Sequence, residues 1–497
     1  MKPIKLTAGK KSFNLDFDKH FAHLAKINQS LNFGATAQYQ KIGLTYVDVP
    51  EIVGITGACE NVDTLFKVYN NLAIPLFFTQ TGQLALEQAL QSFPGCYTVI
   101  HSGRDEEEED ERHLRQFRLT EEEFDSSFIG QTRSNYDEEK MFRALLTHIQ
   151  SAVQAMIRRV LEDHGGVLRQ TYKRDVARLR EATRRDFYRI SYEEAVSLLN
   201  KNGFPRVRFG DDLKADHEAK IVKLLNRGKS EIPVFITKYP KEIKFFNMMV
   251  SQKDPRVVLS ADLIFPYSGE GTGSAVREHD FAKLNERLLT STMYKLHVAR
   301  GGRYEDFGWY LAIIKGKGTQ PHAGYGIGNE RVLQYIFAQK DIRNVSLFSL
   351  LNRQTGDWDK GRYGQAALYE GDKKHILLTI GRAPDKKALL GSVRLLAKKP
   401  KFVLYATEHT HRYLKEHGVR TSFVHKISQI GKKPNIAEFL KRREFDLIIN
   451  IPTRDKVATE SREFTDGKLM RRSAVELGIA LVTDVEVAQA LIVNLTK

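Results

Sequence analysis

Apolar residues in the first part of the chain gather in short runs rather than at helical spacing. Residues 45–49, 76–79 and 97–101 are separated by polar turns, which predicts strands within residues 41–135. The rhythm then changes. Over residues 141–161, Leu145, Ile149, Val153, Met156, Ile157 and Val160 recur at steps of three and four, the spacing of one buried helical face. Strand patterns return at residues 234–236 and 257–264, followed by two glycine-rich segments, "YSGEGTGSAVRE" and "PHAGYGIGNERVLQYIF". Residues 352–373 carry four glycines and no apolar period, and predict a linker. Beyond it, "HILLTI", "FVLYAT", "SFVHKI", "DLIINI" and "IALVTD" are short apolar runs separated by helical stretches such as 386–398. That alternation predicts a parallel α/β sheet. The expected organisation is an N-terminal extension (1–40), a domain of strands and a long helix (41–351), the linker and an α/β domain (374–497).

Composition narrows this. With 497 residues, 41% of them hydrophobic and 28% charged, the chain can bury more than one core. No apolar run is long enough to span a bilayer, so no membrane partner is expected. The N-terminus is basic but lacks the apolar centre of a secretory signal, and Cys59 and Cys96 are the only cysteines, which predicts a cytoplasmic protein with reduced thiols. A net charge of +16 is compatible with nucleic acid, phosphorylated metabolites or anionic surfaces. Residues 169–189 hold eight Lys or Arg against three acids, either a nucleic-acid stripe or a solvated helical face. Against that background, "SGRDEEEEDERHLRQF" places seven consecutive carboxylates, Asp105 to Glu111, between Arg104 and Arg112.

Three features then stand in fixed order. They are the segment led by Arg104, the acids Asp262 and Glu270, and a glycine-rich element ending at Arg331. "GYGIGNER" alone is a weak signal. Together, two distant arginines and two carboxylates around a glycine-rich turn suit nucleoside triphosphate chemistry: guanidinium forks bind phosphate oxygens, and carboxylates hold Mg²⁺ on the leaving pyrophosphate.

These residues resemble the class II aminoacyl-tRNA synthetases of the asparaginyl and aspartyl branch, over residues 43–345. "YVDVPEIVGITGACENVDTLFKV" is similar to the first motif, "FTQTGQLALEQAL" to the substrate segment, "GRDEEEEDERHLRQFRLTEEE" to the second motif and "PHAGYGIGNER" to the third. "YPKEIKFF" is similar to an asparaginyl signature. The resemblance implies ATP and Mg²⁺ as cofactors and a set of roles. Arg104 would hold the α-phosphate and the substrate carboxylate, Glu106 the adenine region, and Arg112 and His113 the γ-phosphate. Phe117 would stack on adenine, and Asp262 and Glu270 would hold the metal. Glu60, Gln83, Glu87 and Arg277 would bind the amino acid, with Arg104 and Arg331 as catalytic residues. It also implies an α+β fold built on an antiparallel sheet, and a homodimer.

The chain departs from that family in places. Only about forty residues precede the first motif, too few for the barrel with which the branch grips an anticodon. Leu86 stands where the family reads aspartate with a lysine, and Glu87 suits a carboxamide. Lys315, Gly316 and Asn247 also replace family residues. Seven carboxylates in the second motif would repel an acceptor stem. The expectation is therefore an AMP-forming ligase that activates asparagine or aspartate for a small or unusual acceptor such as ammonia or an amine, similar to archaeal-type asparagine synthetases. tRNA is disfavoured as a partner. The alternatives are tRNA ligation, with residues 169–189 and the C-terminal domain replacing the anticodon reader, and a regulatory paralog.

From His375 onward the chain resembles the methylglyoxal-synthase-like domain of carbamoyl phosphate synthetases. "LYATEHTHRYL", "VHKI", "LIINIPTRDK" and "LMRRSAVELGIALVTD" carry the resemblance. It implies a phosphorylated effector held by Thr407, Thr410, Lys426, Asn450 and Arg472.

Overall fold

The computed structural model describes residues 3–9, 11–54, 64–68, 76–106, 110–299, 302–316, 320–350, 374–399, 401–442, 444–452 and 466–496. Contacts divide the chain into two compact units, residues 1–369 and 370–497. No described helix is long and apolar enough to cross a membrane.

In the first unit a hairpin of β1 (Ile4–Ala8) and β2 (Lys11–Leu15) leads into α1 (Phe17–Lys41). Asp16 caps this helix by accepting the Lys19 N–H at 2.9 Å. Leu24, Ile27, Leu31 and Ala35 make its buried face. The stretch set apart above as an extension thus supplies a core helix. After β3 (Thr45–Tyr46), a small sheet of β4 (Ile52–Val53), β5 (Phe66–Val68) and β6 (Leu76–Phe78) precedes α2 (Gln83–Ala89). The expected linker and Glu60 lie outside the described residues.

Two long strands follow, β7 (Gly95–Gly103) and β8 (Gln116–Asp125), then α3 (Glu138–Gln170), capped by Asp137. The helix runs past the predicted 141–161 at both ends, from its capping acid Asp137 to a last turn that buries Leu168. It packs along α1, and at Gly34 a Cβ would stand 2.7 Å from the Ala155 carbonyl, so only glycine permits this approach. Then come α4 (Val176–Ala182), β9 (Tyr188–Ser191), α5 (Tyr192–Asn200), α6 (Ala215–Leu225), β10 (Val234–Thr237), β11 (Ser260–Phe265) and β12 (Gly269–Val276). Helices α7 (Phe281–Thr290), α8 (Thr292–Ala299) and α9 (Gly308–Gly316) separate these from β13 (His322–Gly328) and α10 (Asn329–Phe337).

Eight strands form one sheet in the order β3-β7-β8-β13-β12-β11-β10-β9, antiparallel except for the edge pairs β3-β7 and β9-β10. Strand alternation divides "TEEEF" between its faces. Glu122 meets His148 of α3 at 2.5 Å and accepts the Tyr325 hydroxyl, whereas Glu121 and Glu123 line a cavity. The basic segment is partly structural. Arg174 is buried against Glu231 at 2.6 Å, Arg178 also reaches Glu231, and Arg185 pairs with Glu181.

The second unit contains β14 (Lys374–Ile380), α11 (Ala383–Ala397), β15 (Phe402–Ala406), α12 (Glu408–Glu416), β16 (Ser422–Phe423), α13 (Ile436–Arg442), β17 (Leu447–Ile451), α14 (Asp466–Glu476), β18 (Ala480–Val482) and α15 (Val485–Thr496). Its five strands are all parallel, in the order β16-β15-β14-β17-β18, as the alternating pattern predicted.

Candidate active site

A cavity of about 520 Å³ opens over β8, β13, β12 and β11, and it gathers residues far apart in sequence. Arg104 lies just after β7 and its guanidinium stands 5.6 Å from the Phe117 ring centre. Arg331, in the first turn of α10, donates to the carbonyls of Ser268 at 2.6 Å and Arg112 at 2.7 Å. Burial, then the Arg112 charge, hold its pKa below the usual guanidinium range. Asp262 on β11 and Glu270 on β12 flank an irregularity in the strand pairing at Leu263/Ile264. Burial, then the Asp262 charge, push the Glu270 carboxyl up to about 7. Glu218 of α6 stands nearby, raised to about 8 by burial and then by Glu270. Its Oε2 is buried without a hydrogen-bond partner among the described residues, 3.8 Å from Arg112 Nη2.

This end of the cavity has the chemistry for a divalent cation. It holds two buried carboxylates, a third with an unsatisfied oxygen, and arginines suited to phosphate. Among the described residues no three His, Cys, Asp or Glu side chains form a complete metal cage. Mg²⁺ characteristically takes one or two carboxylates and completes its shell with phosphates and water. Asp262 and Glu270 fit that pattern.

The acidic run is less free than its sequence suggests. Asp105 pairs with Arg115. Asp110 accepts the N–H groups of Arg112 and His113 at 2.6 and 2.8 Å and holds His113 Nδ1 at 3.0 Å. Glu106 and His113 line the cavity, and residues 107–109 lie outside the described residues.

At the opposite end, Gln83 and Arg277 line the cavity. Contrary to its expected role, Glu87 does not. Its Oε1 accepts Gln83 Nε2 at 2.6 Å, and its Oε2 accepts the Tyr310 hydroxyl at 2.9 Å and faces His322 Nε2 at 3.1 Å. Burial alone would lower the His322 pKa, but the hydrogen bond and charge of Glu87 outweigh it and raise it. Burial likewise favours neutral Glu87, yet His322 and then Arg277 leave its pKa lowered. Both oxygens therefore serve the protein. Glu123 stands where a substrate group could reach: its Oε1 accepts Arg277 Nη2 at 2.6 Å, and its Oε2 is buried without a hydrogen-bond partner among the described residues. Beside it, Glu121 accepts the Thr81 hydroxyl and the Gly82 N–H, and burial pushes its pKa up to about 7 despite those bonds.

Sequence reasoning missed Glu121, Glu123, His322, Tyr310 and Lys244. A signal for the first two existed. Glu121 and Glu123 are two apart, as are Gly324 and Gly326, and the strands pair Gly324 with Glu123 and Gly326 with Glu121. A Cβ at residue 324 would fall 2.0 Å from the Glu123 carboxyl carbon, so this glycine makes the room.

In the second unit, Asn450 donates to Thr379 Oγ1 at 3.1 Å and accepts Arg471 Nη1 at 2.5 Å. Arg472 does not join them. It is exposed and pairs with Glu476, because it lies one residue on along α14 and faces away. Thr410 is also taken: its hydroxyl accepts the Ile380 N–H and donates to the Ile380 carbonyl. Thr407 precedes α12 without a side-chain capping bond, and Lys426 is exposed.

Residues 14–352 match the family model of the class II tRNA synthetases (D, K and N). The chain belongs to that family. Residues 388–483 match the MGS-like domain, so the two are fused. The synthetase region is 32% identical over 328 residues to the asparagine–tRNA ligase of Pyrococcus furiosus, covering 65% of this chain and 67% of that one. It is 30% identical over 335 residues to the cytoplasmic asparagine–tRNA ligase of Saccharomyces cerevisiae, 65% of this chain and 53% of the relative. Among solved structures, asparaginyl-tRNA synthetase from Pyrococcus horikoshii complexed with asparaginyl-adenylate superposes with a TM-score of 0.57 at 30% identity, over 66% of this chain and 68% of that one. The chain thus spans between about half and two thirds of the length of these relatives.

Proposed function

We propose that this synthetase activates asparagine with ATP and transfers the asparaginyl group to tRNA. One observation carries the first half: a single cavity brings Arg104, Arg112, Phe117, Asp262, Glu270 and Arg331 together at one end and Gln83, Glu123 and Arg277 at the other. A substrate carboxylate oxygen attacks the α-phosphorus, the bond to the β-phosphate oxygen breaks, and pyrophosphate leaves. Arg104 and Arg331 neutralise charge on the phosphates in a preorganised setting, so the work is positioning and electrostatics. Arg104 stacks with Phe117 to frame the nucleotide. Asp262 and Glu270 would hold Mg²⁺, which would supply further positive charge beside the phosphates.

Asparagine is favoured over aspartate. The amide N–H₂ has an acceptor in Glu123 Oε2 and the amide oxygen a donor in Arg277. An aspartate carboxylate would add a further negative charge beside the buried Glu123, whose Oε1 already takes up Arg277.

For the acceptor, the expectation of ammonia or an amine rested on a repelling acidic loop. Within that loop Asp105 pairs with Arg115 and Asp110 accepts the N–H groups of Arg112 and His113, and the relatives are tRNA ligases. Attack by a terminal tRNA hydroxyl on the adenylate carbonyl would release AMP. A cytoplasmic setting, like that named for the yeast relative, agrees with this reading. Incubation with ATP, asparagine and total tRNA, followed by mass analysis of the nuclease-digested RNA, should give asparaginyl-adenosine. An amide formed from added ammonium or amine, with uncharged RNA, would overturn the tRNA half.

A further inference from the structure

Lys244 has no task in the reaction above, yet it faces the phosphate end of the cavity. It lies between β10 and β11. Its Nζ is 2.6 Å from Asp262 Oδ2 and 4.0 Å from the centre of the Tyr239 ring. The two side chains are 16% and 7% exposed, so water screens the pair poorly. Glu270 also feels the Lys244 charge, and Arg104 and Arg331 face Glu270 from the other walls.

A buried carboxylate requires a counter-charge. Here one of the two expected Mg²⁺ ligands already has one, at hydrogen-bond distance. A divalent ion bound to Asp262 would stand about 2.0–2.1 Å from a carboxylate oxygen, and an ammonium hydrogen-bonded to the same group would be strongly repelled by it. Lysine, unlike arginine, is a compact charge on a four-carbon stem that can swing to another anion. A bound triphosphate would supply such an anion in the same cavity.

We propose that Lys244 is the resident counter-ion of the Asp262–Glu270 pair and must release Asp262 before a divalent cation binds there. The inference rests on the triphosphate site proposed above. The metal then enters with nucleotide rather than ahead of it, and Lys244 is a positioning residue for the carboxylate that receives it.

The test is an EPR titration with Mn²⁺, standing in for Mg²⁺, on the full chain without nucleotide. The wild type should bind Mn²⁺ weakly. Lys244→Gln should bind it at least about tenfold more tightly, Lys244→Arg should stay weak, and adding Asp262→Asn to Lys244→Gln should erase the gain. Equal or weaker binding by Lys244→Gln would overturn the proposal. A second arm does not depend on that variant folding. Asp262→Asn alone should leave the weak wild-type affinity unchanged, and loss of a tight site in it would also overturn the proposal. Pyrophosphate exchange on the same wild-type preparation separates the two claims. Absence of exchange refutes the proposed function, while the titration still reads the Lys244–Asp262 competition.

Discussion

Arg331 enters the cavity with both terminal nitrogens anchored to backbone carbonyls, those of Ser268 and Arg112, so its charge is fixed before any substrate arrives. Fixed charge is what phosphoryl chemistry draws on. Arg331→Ala should lower pyrophosphate exchange by roughly 10²–10³-fold with little change in circular dichroism, and near-normal exchange would remove Arg331 from the site. In the proposed reaction Glu123 governs a different property. Glu123→Gln keeps the shape but removes the negative charge, so asparagine should lose its advantage over aspartate. The ratio of kcat/KM for the two amino acids measures this, and an unchanged ratio would contradict the role. These residues also mark how far the sequence could be read. The sequence pointed to Arg104, Asp262, Glu270 and Arg331 as candidates because phosphate chemistry demands charge beside glycine-rich turns, and the fold gathers all four around one cavity. Glu123 was not among them, since the matching spacing of Gly324 and Gly326 points to it only once β8 and β13 are paired. Glu87 was placed wrongly in the pocket because its partners, Tyr310 and His322, come from segments more than 200 residues away.

At the scale of elements, β8 and α6 each bury a carboxyl, and burial favours its protonated form. Glu121 is raised from 4.5 to about 7 and Glu218 of α6 to about 8, in both cases chiefly by burial. An acid whose pKa is higher folded than unfolded keeps its proton in the native state after the unfolded chain has lost it, so stability falls as pH rises through that interval. His20 and His279, lowered to about 4 by burial, work the other way, but only below their ordinary 6.5. Between pH 6.5 and 8 the carboxyls therefore dominate among these groups. The nucleotide-free protein in EDTA should lose on the order of 1–3 kcal/mol over that range, read by calorimetry as a falling Tm; a Tm that rises would contradict the assignment. Element type was legible wherever periodicity was long, as in α3 and the strands of the second unit. Strand order was not, since the β8-β13 pairing joins segments about 200 residues apart. At the basic segment 169–189, left open between a nucleic-acid stripe and a solvated face, the ion pairs of Arg174 and Arg178 could not be foreseen, because their partner Glu231 lies far along the chain.

At the scale of the molecule, two units with separate cores are joined in one chain. On the first, Phe33, Tyr46 and Ile52 are each about half exposed, apolar surface that a second copy could cover. Light scattering should give about twice the 56.8 kDa chain mass, and a monomer at micromolar concentration would contradict the expected dimer. The fusion was legible because the two domains have different hydrophobic rhythms. The proposed acceptor rests on the relatives and not on that loop, because the charge of an isolated loop says nothing about the partners its side chains take. The central claim is the formation of an asparaginyl adenylate in the cavity over β8 and β13. ATP–pyrophosphate exchange by the purified full chain, assayed with each amino acid in turn, tests it most directly. Exchange should depend on asparagine and be far slower with aspartate; exchange with no amino acid, or with aspartate in preference to asparagine, would contradict the account.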